Sequence, residues 1–61
     1  MNPLYDIPRN TRIDISHLGL TTDDEPVTEV LFKHVDGMAG VCEYNGEEFY
    51  LYADVAVKII E

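Results

Sequence analysis

The stretch "GVCEYNGEEFYLYADVAVKIIE", residues 40–61, decides the fold. It is dense in β-branched and aromatic side chains, which suit a pleated, half-buried surface. Asn45-Gly46 divides it, and Asn-Gly favours a two-residue hairpin loop because both central residues take positive φ. With that loop, Tyr44 faces Glu47, Glu43 faces Glu48, Cys42 faces Phe49, Val41 faces Tyr50 and Gly40 faces Leu51.

Working back from there, the β signal extends to Val27. "VTEVLFKHV" (27–35), "MAGVCEY" (38–44), "EEFYLY" (47–52) and "VAVKII" (55–60) each read as a strand. Asp36-Gly37 is a second hairpin dipeptide, and it sets Val35 against Met38, His34 against Ala39, Phe32 against Val41 and Leu31 against Cys42. One face then carries Leu31, Val35, Met38, Cys42, Phe49 and Leu51 and forms the core. The other carries Val30, Phe32, His34, Ala39, Val41, Tyr50 and Tyr52 and is also largely apolar. Something must cover it: the N-terminal segment, curvature into a barrel, or a second copy. A longer Asp36-Gly37 loop would shift this register by one residue and carry Phe32 inward.

The remaining segments are short. "ADV" (53–55) reads as a 3₁₀ turn that carries the chain across to the last strand. "TRIDIS" (11–16) alternates Ile13 and Ile15 with Arg12, Asp14 and Ser16, the pattern of a half-buried strand. Gly19 marks a bend after it. "TTDDEP" (21–26) reads as an exposed acidic loop, or as one helical turn capped by Thr22 with Glu25 three positions on. In residues 1–10, Pro3 and Pro8 hold the chain extended, with Leu4, Tyr5 and Ile7 available to pack.

Composition sets further bounds. With 61 residues there is one domain, burying only about 60% of its unfolded surface. Cys42 is the only cysteine, so no internal disulfide staples this small core; self-association, or else an unusually economical barrel, is the remaining support. The net charge of −8, with only four Lys and Arg, opposes direct binding to nucleic acid or an anionic membrane. An acidic surface suits a basic protein partner, a cation or plain solubility. No signal-type apolar run appears, which points to the cytoplasm.

The hairpin meander, the short turn and the closing strand of residues 57–60 together resemble the SH3-like pattern over about residues 11–60. The resemblance implies an all-β fold: a small five-stranded SH3-like barrel, or a strongly curved antiparallel sheet, with residues 1–10 as an extended arm and 11–61 as the domain. Tryptophan is absent, as is an "ALYDY" strand, so recognition of proline peptides is not carried over. In size, acidity and lack of catalytic groups the chain also resembles short phage-encoded accessory proteins.

No chemistry assembles on this scaffold. His17 and His34 match no zinc spacing, and one cysteine cannot build a thiolate site. Cys42 and His34 fall on opposite faces, so they make no nucleophile–base pair. Gly37, Gly40 and Gly46 lead into strands and not into a helix N-terminus, so they cradle no phosphate. Glu43 opposite Glu48 is a like-charge pair that destabilises a ladder, so it splays into water or meets a basic partner or Lys58. We therefore expect a non-enzymatic protein without cofactor or metal that binds a basic protein partner, and concretely a phage-type inhibitor of a host defence or nucleic-acid-handling protein. Phe32, His34, Tyr50 and Tyr52 are the expected contact face, ringed by Asp23, Asp24, Glu25, Glu43 and Glu48. The alternatives are a homo-oligomer that sequesters a small ligand or nucleotide between copies through Tyr5, Arg9 and Arg12, and a structural subunit of a larger assembly.

Overall fold

The two-residue turns lay down most of the architecture. In the computed structural model, which describes residues 1–60, eight strands follow in chain order. They are β1 (Asn2–Pro3), β2 (Thr11–Asp14), β3 (Thr21–Thr22), β4 (Glu25–Pro26), β5 (Glu29–Asp36), β6 (Ala39–Tyr44), β7 (Glu47–Tyr52) and β8 (Ala56–Ile59). Six form one antiparallel sheet in the order β1-β8-β2-β5-β6-β7, and β3 pairs with β4. Among the described residues no ladder joins β7 back to β1, and no helix is long and apolar enough to cross a membrane. Glu61, the last residue of the expected domain, lies outside the described residues.

The β6–β7 hairpin has the register its Asn-Gly turn requires, from Tyr44 opposite Glu47 to Ala39 opposite Tyr52. Asn45 and Gly46 have φ of 51° and 83°, the two positive values of a type I′ turn. The β5–β6 hairpin differs from expectation. Its loop is Gly37-Met38, with Asp36 opposite Ala39. Gly37 has φ 63° and Met38 is not in the positive-φ region, so glycine occupies the first central position, as a type II′ turn demands.

That one-residue displacement changes partners but not faces: His34 stays on the second face, now opposite Val41, and Val35 on the core face, opposite Gly40. A β-bulge at Lys33 is what exchanges the faces beyond it. His34 pairs with Val41, but Phe32 pairs with Cys42, leaving Lys33 as the inserted residue. Phe32 and Val30, expected on the second face, are therefore buried in the core at 1% exposure each. Leu31, expected in the core, stands opposite Glu43 on the other face, and Met38, also expected inside, is 82% exposed at the turn.

The core gathers Leu4, Ile7, Ile13, Ile15, Val27, Val30, Phe32, Cys42 and Val57. Two of these come from the N-terminal ten residues, which do not extend as a free arm. Asn2 and Pro3 pair with Val57 and Ala56. A 3₁₀ turn over Leu4–Asp6 follows, and the amides of Leu4 and Tyr5 donate to the carbonyls of Val55 and Ala53, each at 2.9 Å. Gly40 makes the seat: a Cβ there would run into the Leu4 side chain, which is fully buried. The N-terminal segment thus packs on the Gly40–Cys42 face and leaves the second face bare.

Residues 21–26 are neither loop nor helical turn. Asp23 and Asp24 have φ of 51° and 63° and form a two-residue turn between Thr22 and Glu25. The hairpin continues the β2–β5 ladder, through an Ile15 amide bonded to the Thr28 carbonyl and a Val27 amide bonded to that of Leu20, both at 2.8 Å. Between them a 3₁₀ turn over Ser16–Leu18 ends at Gly19, whose φ is 68°. Ala53–Val55 is the expected tight turn, closed by the Val55 amide donating to the Tyr52 carbonyl at 3.1 Å.

Candidate functional site

Strand alternation puts His34, Val41, Glu43, Glu48, Tyr50 and Tyr52 on the bare face of β5–β6–β7. Val41 is its floor: it is 5% exposed yet lies outside the core cluster, because Tyr50 and His34 flank it on the two neighbouring strands. Tyr50 and Tyr52 stand above it at 66% and 75% exposure. Nothing among the described residues covers their rings.

The bulge gives this face its one cation. Lys33 Nζ reaches across β6 and donates to Glu48 Oε2 at 2.8 Å. The hydrogen bond to Glu48, reinforced by its charge, raises the Lys33 ammonium, and the same bond lowers the Glu48 carboxyl. Glu43 sits directly opposite Glu48, and its charge also acts on Lys33. The like-charge pair is thus relieved by Lys33 and not by Lys58, which stands opposite Asp14.

The other expected positions divide. Phe32 faces the core and is no part of the contact face. Asp23, Asp24 and Glu25 form the exposed tip of the β3–β4 hairpin, whose Thr21 and Thr22 line a cleft with Phe49, Glu47 and Glu48. They flank the inner side of β7 and not the tyrosine face. Tyr5 is exposed and shares a cleft with Met38 and Tyr52, while Arg9 is exposed in the loop after the first 3₁₀ turn. Arg12 is engaged, its Nε donating to Glu29 Oε1 at 2.6 Å. The cleft that Tyr5 lines contains neither Arg9 nor Arg12.

Met38, expected in the core, is the exposed apolar residue that sequence reasoning missed. A Gly-first loop would have shown it, since the residue after that glycine projects from the turn. It stands beside Tyr52 and Tyr5, so the apolar surface runs from the tyrosines around the end of the hairpin.

The remaining polar groups have structural roles. His17 Nε2 donates to the Ala56 carbonyl at 2.7 Å and pins the second 3₁₀ turn to β8. Asp14 accepts from the Ser16 amide at 2.8 Å; this bond, then the Ser16 hydroxyl, Lys58 and His17, lowers its carboxyl. Cys42 is fully buried, and that burial pushes its thiol up to about 11. A thiol so placed is neutral and acts as a small hydrophobe. Among the described residues no three His, Cys, Asp or Glu side chains group to hold a metal.

Comparison with known proteins finds no matching family model, no matching curated protein and no matching solved structure.

Proposed function

We propose that this chain is a non-enzymatic acidic binding protein that occupies a basic surface of a partner protein. The observation that carries it is the pair Tyr50 and Tyr52, mostly exposed on an uncovered sheet face whose neighbours Glu43 and Glu48 are acids. Tyrosine suits such a contact because its ring buries large area at low entropic cost and its hydroxyl tolerates water. The carboxylates and the net charge of −8 steer a basic partner towards this face and set a salt dependence.

Within that class, our concrete reading is a phage-type inhibitor of a host defence or nucleic-acid-handling protein, which rests on the chain's resemblance in size and acidity to phage accessory proteins. We take the scaffold as SH3-like, supported by the meander of β5–β7 and the short turn into β8. The test is a paired pull-down with immobilised wild type and Tyr50→Ala/Tyr52→Ala. A protein captured at low salt, released at high salt and not captured by the double variant is the expected result. Capture that ignores both salt and the double variant sinks the proposal.

A further inference from the structure

The two edges of the main sheet are built differently. β1 is two residues long and contains Pro3, which has no amide to offer. β7 is six residues long, with no proline, no lysine and no bulge against β6. Natural sheets blunt their edges with short strands, proline, lysine or bulges, because an open edge templates another strand. One edge here is blunted in that way and the other is not.

The register shows what β7 presents. Tyr44 and Glu47 flank a two-residue loop, so they form a hydrogen-bonded pair, and such pairs alternate along an antiparallel ladder. Glu47, Phe49 and Leu51 therefore direct their amides and carbonyls at β6, while Glu48, Tyr50 and Tyr52 direct theirs outward. Among the described residues, the Tyr52 carbonyl alone of these outward groups has a backbone donor, the amide of Val55. Tyr50 presents both its amide and its carbonyl to whatever approaches.

The surroundings specify the incoming strand. Beside β7 two clefts meet at Leu20, one lined by Val27 and Phe49 together with Glu47 and Glu48, the other wrapping the edge from Leu18, Leu51 and Val55 to Met38, Tyr50 and Tyr52. This apolar trough would take every second side chain of an added strand. The intervening side chains would lie on the outer side, beside Glu48, Tyr50 and Tyr52. Strands β3, β4, β6 and β7 and their turns hold Asp23, Asp24, Glu25, Glu43, Glu47 and Glu48 and no Lys or Arg; of these, Glu43 and Glu48 lie on the outer side with Tyr50 and Tyr52. Lys33, the cation that reaches this region, is already bound to Glu48. A second copy would bring the same six acids and another −8 of charge to the edge, whereas lysines or arginines would find carboxylates and tyrosine faces.

We propose that the free edge of β7 docks an extended segment of a basic partner protein, which joins the sheet as a further strand with alternating apolar and basic side chains. This rests on the partner-binding reading above and deepens it by naming the segment's conformation and pattern. Main-chain bonds to Glu48 and Tyr50 give affinity, and the Leu20 trough and the acidic outer side read the alternation.

The probe is a capped octapeptide alternating Val and Lys, with a control of four Lys followed by four Val, added to the ¹⁵N-labelled chain at low salt. The expected result is binding of the alternating peptide at least about tenfold tighter than the control, with slowed hydrogen exchange at the amides of Glu48 and Tyr50. Binding that leaves those amides unprotected overturns strand addition while the tyrosine-face contact stands, since the pull-down reads side chains and this experiment reads the backbone. Equal binding of both peptides, or of neither, overturns the pattern. A dimer in light scattering with the Tyr50 amide protected before any peptide is added assigns the edge to a second copy and overturns the proposal.

Discussion

The Leu4 side chain occupies the volume that a Cβ at Gly40 would need. Two residues far apart in sequence thus share one seat, and their substitutions must couple. Gly40→Ala overpacks the seat and costs about 1–3 kcal/mol. Leu4→Val removes a methylene and costs about 1 kcal/mol. The double variant should lose at least about 0.5 kcal/mol less than the sum, because the shorter side chain makes room for the new methyl. Urea unfolding of the four proteins reads this directly, and strict additivity would show that the contact is not shared.

The β3–β4 turn asks two aspartates to hold positive φ, which costs a residue with a side chain roughly 1–2 kcal/mol. Asp24→Gly should stabilise the chain by about 1 kcal/mol, a rise in Tm of about 4–8 °C for a domain this small. Gly46→Ala, at φ 83°, should lower Tm by a similar amount. Thermal unfolding followed by circular dichroism checks both, and a Tm lowered by Asp24→Gly would be inconsistent with the turn.

The Lys33–Glu48 pair gives a pH signature whose sign follows from the two shifts. The Glu48 carboxyl is lowered in the folded chain, so its contribution is complete above the unfolded value of about 4.3 and is lost as pH falls through the lower folded value. The Lys33 ammonium is raised, so its contribution is complete below about 10.4 and is lost as pH rises through the higher folded value. The stability gap between wild type and Glu48→Gln should therefore be flat near neutrality and close below about pH 4. Glu48 is exposed and Lys33 half-buried, so solvent ions reach the pair and the gap should also shrink with salt. Denaturant midpoints across pH settle it; a gap that widens on acidification would contradict the pair.

Cys42 should resist modification while the chain is folded. Its thiol is buried and raised to about 11, so neither access nor thiolate is available at neutral pH. Alkylation by iodoacetamide, followed by mass, should proceed only through opening of the sheet and should accelerate in the destabilised Gly40→Ala variant. Rapid labelling of the native wild type would place the thiol elsewhere.

The β6–β7 ladder is fully legible because Asn-Gly permits one loop placement, and with it Tyr50 and Tyr52 fall on the second face; that this face stays uncovered is not legible. The β5–β6 ladder is not legible, because Gly37 suits either the second position of an Asp36-Gly37 loop or the first of a Gly37-Met38 loop. The bulge is invisible in "VLFKHV", where Lys33 interrupts an apolar run without breaking strand propensity. The bulge put Phe32 in the core and the shifted loop put Met38 in solvent, and the inserted Lys33 formed the ion pair with Glu48 that spacing could not foretell. Local pattern also hid the partner of Asn2 and Pro3, since β8 follows more than fifty residues later.

The pairing of β1 with β8 has a consequence for synthesis. Leu4 cannot be held in place until Ala53 and Val55 have emerged from the ribosome to accept its neighbourhood's hydrogen bonds, and β1 must wait for Ala56 and Val57. Contacts of such long sequence separation close late and slowly. During that delay the nascent β5–β7 meander sits with its apolar underside unsealed, so translation speed and chaperone supply, more than final stability, should govern the yield of native molecules.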